Sequence, residues 1–171
     1  MLAVVLSKLD IQRLLRRQPP LVEGWLDLEQ QVQANGFDLS LREVAVLESA
    51  GRIAADNSGR QVSELSALAF NGQGFVDLAP GPYVITYNEI VHLPNNVMAL
   101  GEPRSSLLRC GVAVHMAVWD AGYSGRSQSM MVVHNPRGFR LERNARVAQL
   151  VFLRLTRPTE GYRGAYQREN M

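Results

Sequence analysis

The sequence predicts a mainly β domain, a sandwich or small barrel, with one short helix at its N-terminus. Short apolar runs recur along the chain, each bounded by Gly, Pro or Asn, which is the pattern of many short strands. A convincing helical period appears only once, before Pro19-Pro20. The length of 171 residues allows one domain with a real core and not two comfortable ones. Residues 1–155 are read as that domain, and residues 156–171, polar and Gly-containing, as a mobile C-terminal tail.

Ser7-Lys8-Leu9-Asp10 reads as a capping box with Asp in place of the usual Glu. Leu9, Ile11, Leu14 and Leu15 then form an apolar stripe, with Arg13, Arg16 and Arg17 on the polar side, until Pro19-Pro20 stops the helix. Phe37 to Leu47 alternates in part. The runs at 74–78, 83–87, 97–100, 112–119, 130–133 and 147–155 read as further strands, punctuated by Pro80-Gly81-Pro82, Pro94-Asn95-Asn96 and Asn135-Pro136-Arg137-Gly138. Gly51 to Ser66 is polar and suits an exposed loop or hairpin excursion. There is no internal repeat and no low-complexity tract.

The formal net charge of +2 and the pI near 9.0 are a mild positive excess, which does not by itself imply nucleic acid. Lys8 is the only lysine. Arginine suits phosphate oxygens, although a compositional bias of the host accounts for most of these residues. Cys110 is the only cysteine, which excludes an intramolecular disulfide and a thiolate cluster; its expected place is the core. Met1 to Leu6 is too short for a signal peptide or a membrane span, so a cytoplasmic protein without membrane contact is expected. His92, His115 and His134 lack ligand spacing and read as structural.

Three segments can carry chemistry. In Pro103-Arg104-Ser105-Ser106-Leu107-Leu108-Arg109, two hydroxyls lie beside arginines, and a helix beginning at Ser105 adds backbone N–H donors. That arrangement binds phosphate, and a plain capped helix explains it equally well. In Trp119-Asp120-Ala121-Gly122-Tyr123-Ser124-Gly125, a carboxylate follows an apolar strand and precedes a Gly-framed turn. Asp120 can take a proton from water there, and Tyr123 offers a flat face to a sugar or base. Taken alone, the segment fits better an Asx-type turn in which Asp120 serves only local backbone. The tail carries Tyr162, Arg163, Tyr166 and Gln167 among glycines, which suits a flap over a nucleotide as well as an ordinary tail.

The order of these segments is more specific than any one of them. Ala34-Asn35-Gly36-Phe37-Asp38-Leu39, then Pro103 to Leu107, then Asp120 to Gly125, then Arg146-Val147-Ala148-Gln149-Leu150-Val151-Phe152, then the tail, resembles the five-motif pattern of the dUTPase and dCTP deaminase superfamily. The N-terminal helix, the Pro80 to Pro94 stretch and the Tyr166-Gln167 ending look more like the deaminase branch. Only about Ile53 to Ala69 lies outside the resemblance. It implies a distorted β-barrel or jelly roll (dUTPase-like, β-clip) and a homotrimer with shared active sites. It also implies a tail that closes over the nucleotide, and Mg²⁺ held through the substrate phosphates rather than by protein ligands.

Within that superfamily, deamination needs a glutamate on the strand after the third motif, three residues before an asparagine. Anchored on Asn135 the position is Val132, and anchored on Gly125 it is Met130. The segment between them is two residues longer than in most relatives. Deaminase-only enzymes also carry an arginine where this chain has Val118. An apolar side chain cannot shuttle a proton. The resemblance therefore implies dUTP hydrolysis, with Asp120 catalytic. Arg104, Ser105, Ser106, Arg109, Val118, Tyr123, Gln149, Tyr162, Arg163, Tyr166 and Gln167 are the expected substrate-binding residues; Arg109 also suits an interface, and Asp38 a structural role. A dCTP deaminase or bifunctional enzyme, a non-catalytic nucleotide-binding regulator and a sugar-binding jelly roll are the rival readings.

Overall fold

The first helix forms where the capping box places it. In the computed structural model, which describes residues 4–171, α1 (Lys8–Leu15) starts at Ser7. The Asp10 N–H donates to Ser7 Oγ at 3.4 Å, and the Ser7 N–H donates to Asp10 Oδ2 at 3.2 Å. Ile11 and Leu15 are buried. Leu9 faces solvent, so the apolar stripe is narrower than expected: α1 lies over one end of the sheet and offers it one side only. Residues 1–3 of the apolar start lie outside the described residues. Among the described residues, no helix is long and apolar enough to cross a membrane.

Three short pieces, β1 (Val22–Glu23), α2 (Leu28–Gln31) and β2 (Val32–Gln33), lead into the longest strand, β3 (Gly36–Leu47). The excursion that follows is bridged at Arg52 and Gln61, and it returns as β4 (Leu65–Ala67), which pairs with β3. Then come β5 (Phe75–Leu78), β6 (Gly81–Tyr87), β7 (Ile90–His92), β8 (Val97–Pro103), α3 (Ser105–Arg109) and β9 (Val112–His115). The chain finishes with β10 (Ser124–Gly125), β11 (Gln128–Val133), β12 (Phe139–Glu142) and β13 (Arg146–Arg154).

The main sheet runs β8-β13-β3-β6-β11-β9, with β2 and β4 beside β3. Its two outer strands meet just beyond β9. The Ala99 N–H donates to the Trp119 carbonyl at 2.9 Å, and the Trp119 N–H returns the bond at 3.1 Å. This bridge nearly closes the sheet into a barrel and relieves the exposed edges that an open sheet leaves. The mainly β, barrel-like expectation holds, helix included. Phe37, Leu39, Leu41, Ile85, Tyr87, Met131, Leu150 and Phe152 fill the interior. The start of β3 is covered on both faces, so Asp38 and Ser40 are also buried and the alternation of this strand is only partial.

The run at 112–119 is not one strand. It leaves the ladder at His115, because Trp119 must cross to Ala99 to close the barrel. Cys110 is exposed at the end of α3 rather than in the core, since the short helix buries only Leu107.

One buried carboxylate ties β7 to β3. Glu89 accepts from the Ser40 N–H at 2.9 Å, the Ser40 hydroxyl at 2.6 Å and the Gln31 amide at 2.6 Å. Burial raises its pKa above the usual carboxylate range, against the lowering effect of those donors. A raised folded pKa gives stability that is full below the unfolded value and is lost as pH rises through the folded one. Glu89→Ala is expected to destabilise the protein by about 2 kcal/mol at pH 7 through the orphaned donors. The deficit relative to the native chain is larger at pH 4 and narrows as pH rises. Urea midpoints of both proteins across that range check this, and a deficit that widens with pH contradicts it.

Candidate active site

Trp119 is fixed by its backbone bridge and by its indole, whose Nε1–H donates to Ser127 Oγ at 2.6 Å. Asp120 comes next, at the point where the chain turns out of the closed barrel. The Tyr123 N–H donates back to the Asp120 carbonyl at 3.1 Å, making the turn. Gly122 has φ +82, and a Cβ there would stand 2.6 Å from Gly161 Cα, so both the backbone conformation and the close approach of the tail require glycine. The Asp120 carboxylate caps no backbone N–H and makes no protein hydrogen bond or ion pair among the described residues. The Asx-turn alternative therefore does not describe it.

Asp120 opens into a cavity of about 320 Å³, a volume suited to a small ligand. Val118, Tyr123, Tyr162 and Tyr166, all expected from the sequence, line it with Asp120. Ala117 and Trp119, from segments the sequence also points to, line it too, as do Ser127, Gln128 and Glu169, which the sequence does not single out. On the strand after the turn, the lining residue is Gln128; Met130 and Val132 are not among the lining residues. Met130 lies opposite His115, and Val132 opposite Ala113. Ser127 and Gln128 are the residues of the 125–135 segment beside the cavity.

The tail lies along the same turn. The Tyr162 N–H donates to the Ala121 carbonyl at 2.8 Å, and the Arg168 N–H to the Ser124 carbonyl at 2.7 Å. Gln167 Oε1 accepts from the Ser124 N–H at 2.8 Å, while its amide donates to the Gly122 carbonyl at 2.9 Å. The Tyr162 and Tyr123 rings meet edge to face at 5.8 Å. The Arg60 guanidinium, from the excursion outside the motifs, sits 5.5 Å from the Tyr166 ring centre. Arg163 is solvent-exposed, 4.0 Å from Glu160 and outside the cavity lining.

The expected phosphate-binding residues gather elsewhere in the chain. Asp38 Oδ2 accepts from Arg146 and the Gln33 amide, each at 3.2 Å, and forms an ion pair with Arg104 Nε at the same distance. Burial raises the Asp38 pKa, opposed by the two guanidinium groups. Ser105, Ser106 and Arg109 are exposed on α3, which is five residues long and has no side-chain cap. Gln149 on β13 lies opposite Asp38 and packs over Gly36, where a Cβ would come 2.8 Å from Gln149 Nε2. None of these residues lines the Asp120 cavity.

Among the described residues, no group of three or more His, Cys, Asp or Glu side chains is arranged to hold a metal. His92 packs with Ser124 at 2.7 Å and Glu23 at 3.3 Å, which is a structural placement. His115 and His134 are exposed and outside the cavity.

The model of a dCTP deaminase-like family matches residues 5–155. A probable deoxyuridine 5′-triphosphate nucleotidohydrolase of Methanosarcina mazei is 48% identical over 167 residues, covering 97% of this chain and 98% of the relative. The protein of the same name in Archaeoglobus fulgidus is 48% identical, covering 98% of each. Among solved structures, the 2′-deoxycytidine 5′-triphosphate deaminase of Agrobacterium tumefaciens superposes with TM-score 0.68 at 22% identity, over 88% of this chain and 48% of that one. The EIAV dUTPase superposes with TM-score 0.52 at 16% identity, over 84% and 95%. These two structural likenesses concern the fold.

Proposed function

The chain belongs to the dCTP deaminase-like family, and within it we propose that it hydrolyses dUTP to dUMP and pyrophosphate. The observation that carries the mechanism is Asp120, a carboxylate left uncommitted by the protein and aimed into a cavity lined by aromatic side chains. In this reading Asp120 takes a proton from a water that attacks the α-phosphorus. The bond from that phosphorus to the bridging oxygen breaks, and pyrophosphate leaves. Tyr123 packs on the deoxyribose and leaves no room for a 2′-hydroxyl. The backbone around Val114 to Val118 reads the uracil edge; past the end of β9 at His115 it has left the strand ladder, so its peptide groups are available. Tyr162, Arg163, Tyr166 and Gln167 close the tail over the nucleotide.

Arg104, Ser105, Ser106, Arg109 and Gln149 orient the triphosphate and meet the charge that develops on it. Their separation from the Asp120 cavity within one chain supports a homotrimer with shared sites, in which one subunit's phosphate groups complete the neighbour's cavity. The outward face of the sheet supports the same assembly: Leu47, Leu65 and Met130 are exposed there, and Val84 and Val132 lie beside Met130's row. The triphosphate oxygens suit Mg²⁺ carried in on the substrate, which needs few protein ligands. When bound, that ion neutralises phosphate charge. The reaction is placed in the cytoplasm, where a lone exposed thiol such as Cys110 persists.

Deamination lacks its acid/base group on the strand, because the lining residue there, Gln128, is an amide. Incubation with Mg²⁺ and either dUTP or dCTP, with assays for pyrophosphate and ammonia, tests the assignment. Pyrophosphate from dUTP without ammonia from dCTP is the expected result. Ammonia from dCTP overturns it, and nucleotide binding with neither product identifies a regulator.

A further inference from the structure

Beyond that reading, and resting on it for the substrate, we propose that Glu169 is a positioning residue that acts through Tyr123: its carboxylate reaches back from the tail, holds the phenol hydroxyl and so sets the tilt of the ring that packs on the sugar. The Tyr123 hydroxyl lies 2.8 Å from Glu169 Oε1 and 3.3 Å from Ser127 Oγ. A phenol has a single proton. With that proton given to the carboxylate, the Ser127 hydroxyl donates to the phenol oxygen, and Trp119 Nε1–H donates to Ser127. The result is a directed chain of hydrogen bonds, Trp119 to Ser127 to Tyr123 to Glu169. It starts at the residue that closes the barrel and ends on the tail.

Every member of this chain lines the Asp120 cavity. Burial raises the pKa of the Tyr123 phenol, which keeps its proton in place to donate. The backbone on either side fixes the register of the contact. The Arg126 N–H donates to the Glu169 carbonyl at 2.9 Å, and the Arg168 N–H to Ser124. Gly125 leaves the needed space, since a Cβ there would stand 2.6 Å from the Tyr123 hydroxyl and 3.3 Å from Glu169 Cγ. In this proposal the tail docks on the third-motif turn in the free protein, and docking and ring orientation are one event.

The test uses full-length native protein, Glu169→Ala, Glu169→Gln, Tyr123→Phe and the double variant Glu169→Ala/Tyr123→Phe. Hydrogen exchange without nucleotide reads the Arg126 and Arg168 amides, which lose protection in Glu169→Ala and in Tyr123→Phe. In turnover, Glu169→Ala is expected to lower kcat/KM for dUTP about tenfold and to weaken the preference for dUTP over UTP. Glu169→Gln recovers most of that loss, because its amide oxygen still accepts from the phenol. The double variant loses no more than the worse single one, the signature of a shared interaction. Unchanged protection and an unchanged dUTP-to-UTP ratio in Glu169→Ala, or losses that add in the double variant, overturn the proposal. The exchange measurement needs no turnover, so a native protein that releases no pyrophosphate counts against the dUTP reading and leaves the Glu169 contact to be judged separately.

Discussion

Asp120→Asn is expected to lower dUTP turnover by roughly three orders of magnitude, the scale of a lost general base, while nucleotide affinity stays close to native. Asparagine keeps the volume and the polar contacts of the side chain and removes only its ability to accept a proton from water. The Asp120 side chain makes no protein hydrogen bond or ion pair among the described residues, so the substitution leaves the fold without an orphaned partner. The effect therefore falls on kcat. Steady-state kinetics, with a binding measurement on a non-hydrolysable dUTP analogue, separates the two quantities. Turnover within tenfold of native would remove Asp120 from its role.

Asp38→Ala is expected to act in the opposite way, on stability and KM before kcat. One carboxylate oxygen accepts from Arg146 and Gln33 and pairs with the Arg104 guanidinium, and Asp38 itself is 1% exposed. Its removal leaves two guanidinium groups side by side with no counter-charge. Breaking such a buried arrangement costs about 3 kcal/mol, here moderated because both arginines reach solvent in part. Arg104 also loses the bond that aims it, so KM for dUTP rises. A urea midpoint shift corresponding to less than about 0.5 kcal/mol, the ordinary size for a surface site, would show that the cluster does not hold this part of the sheet.

Both residues lie in motifs that the sequence displays, yet their environments were not equally legible. Asp38 was read as structural, and its burial between arginines agrees with that. Asp120 was ambiguous from its turn alone. The tertiary structure removes the Asx-turn contact by leaving its carboxylate unbonded among the described residues, and the catalytic role stays the proposal. Gln128 shows the limit of pattern reasoning on a strand. With two extra residues between Gly125 and Asn135, anchoring from either end pointed to Met130 or Val132. The residue that faces the cavity is set by where β11 pairs with β6 and β9, which is a register fixed between strands far apart in sequence. Glu169 carried no signal: a glutamate near a chain end becomes meaningful only when the tail is seen against Tyr123.

The sequence by itself determined what depends on neighbours in the chain: the capping box that starts α1, the Gly- and Pro-bounded strands, the order of the motifs, and the carboxylate at the Asp120 turn. Those signals are local, because caps and turns use backbone groups only a few residues away. Short strands such as β7 and β12 escaped, since their pairing with β1, β10 and β5 supplies the order that their composition does not advertise. Only the tertiary structure decided that Trp119 closes the barrel onto Ala99, that the residues proposed to bind phosphate stand apart from Asp120 within one chain, and that the tail rests on the third-motif turn. Each of these is a contact across long sequence separation, fixed by sheet register and packing rather than by residue type. At the Asp120 turn the two levels meet: the chain supplies the carboxylate, and the closed barrel leaves it without a protein hydrogen bond among the described residues.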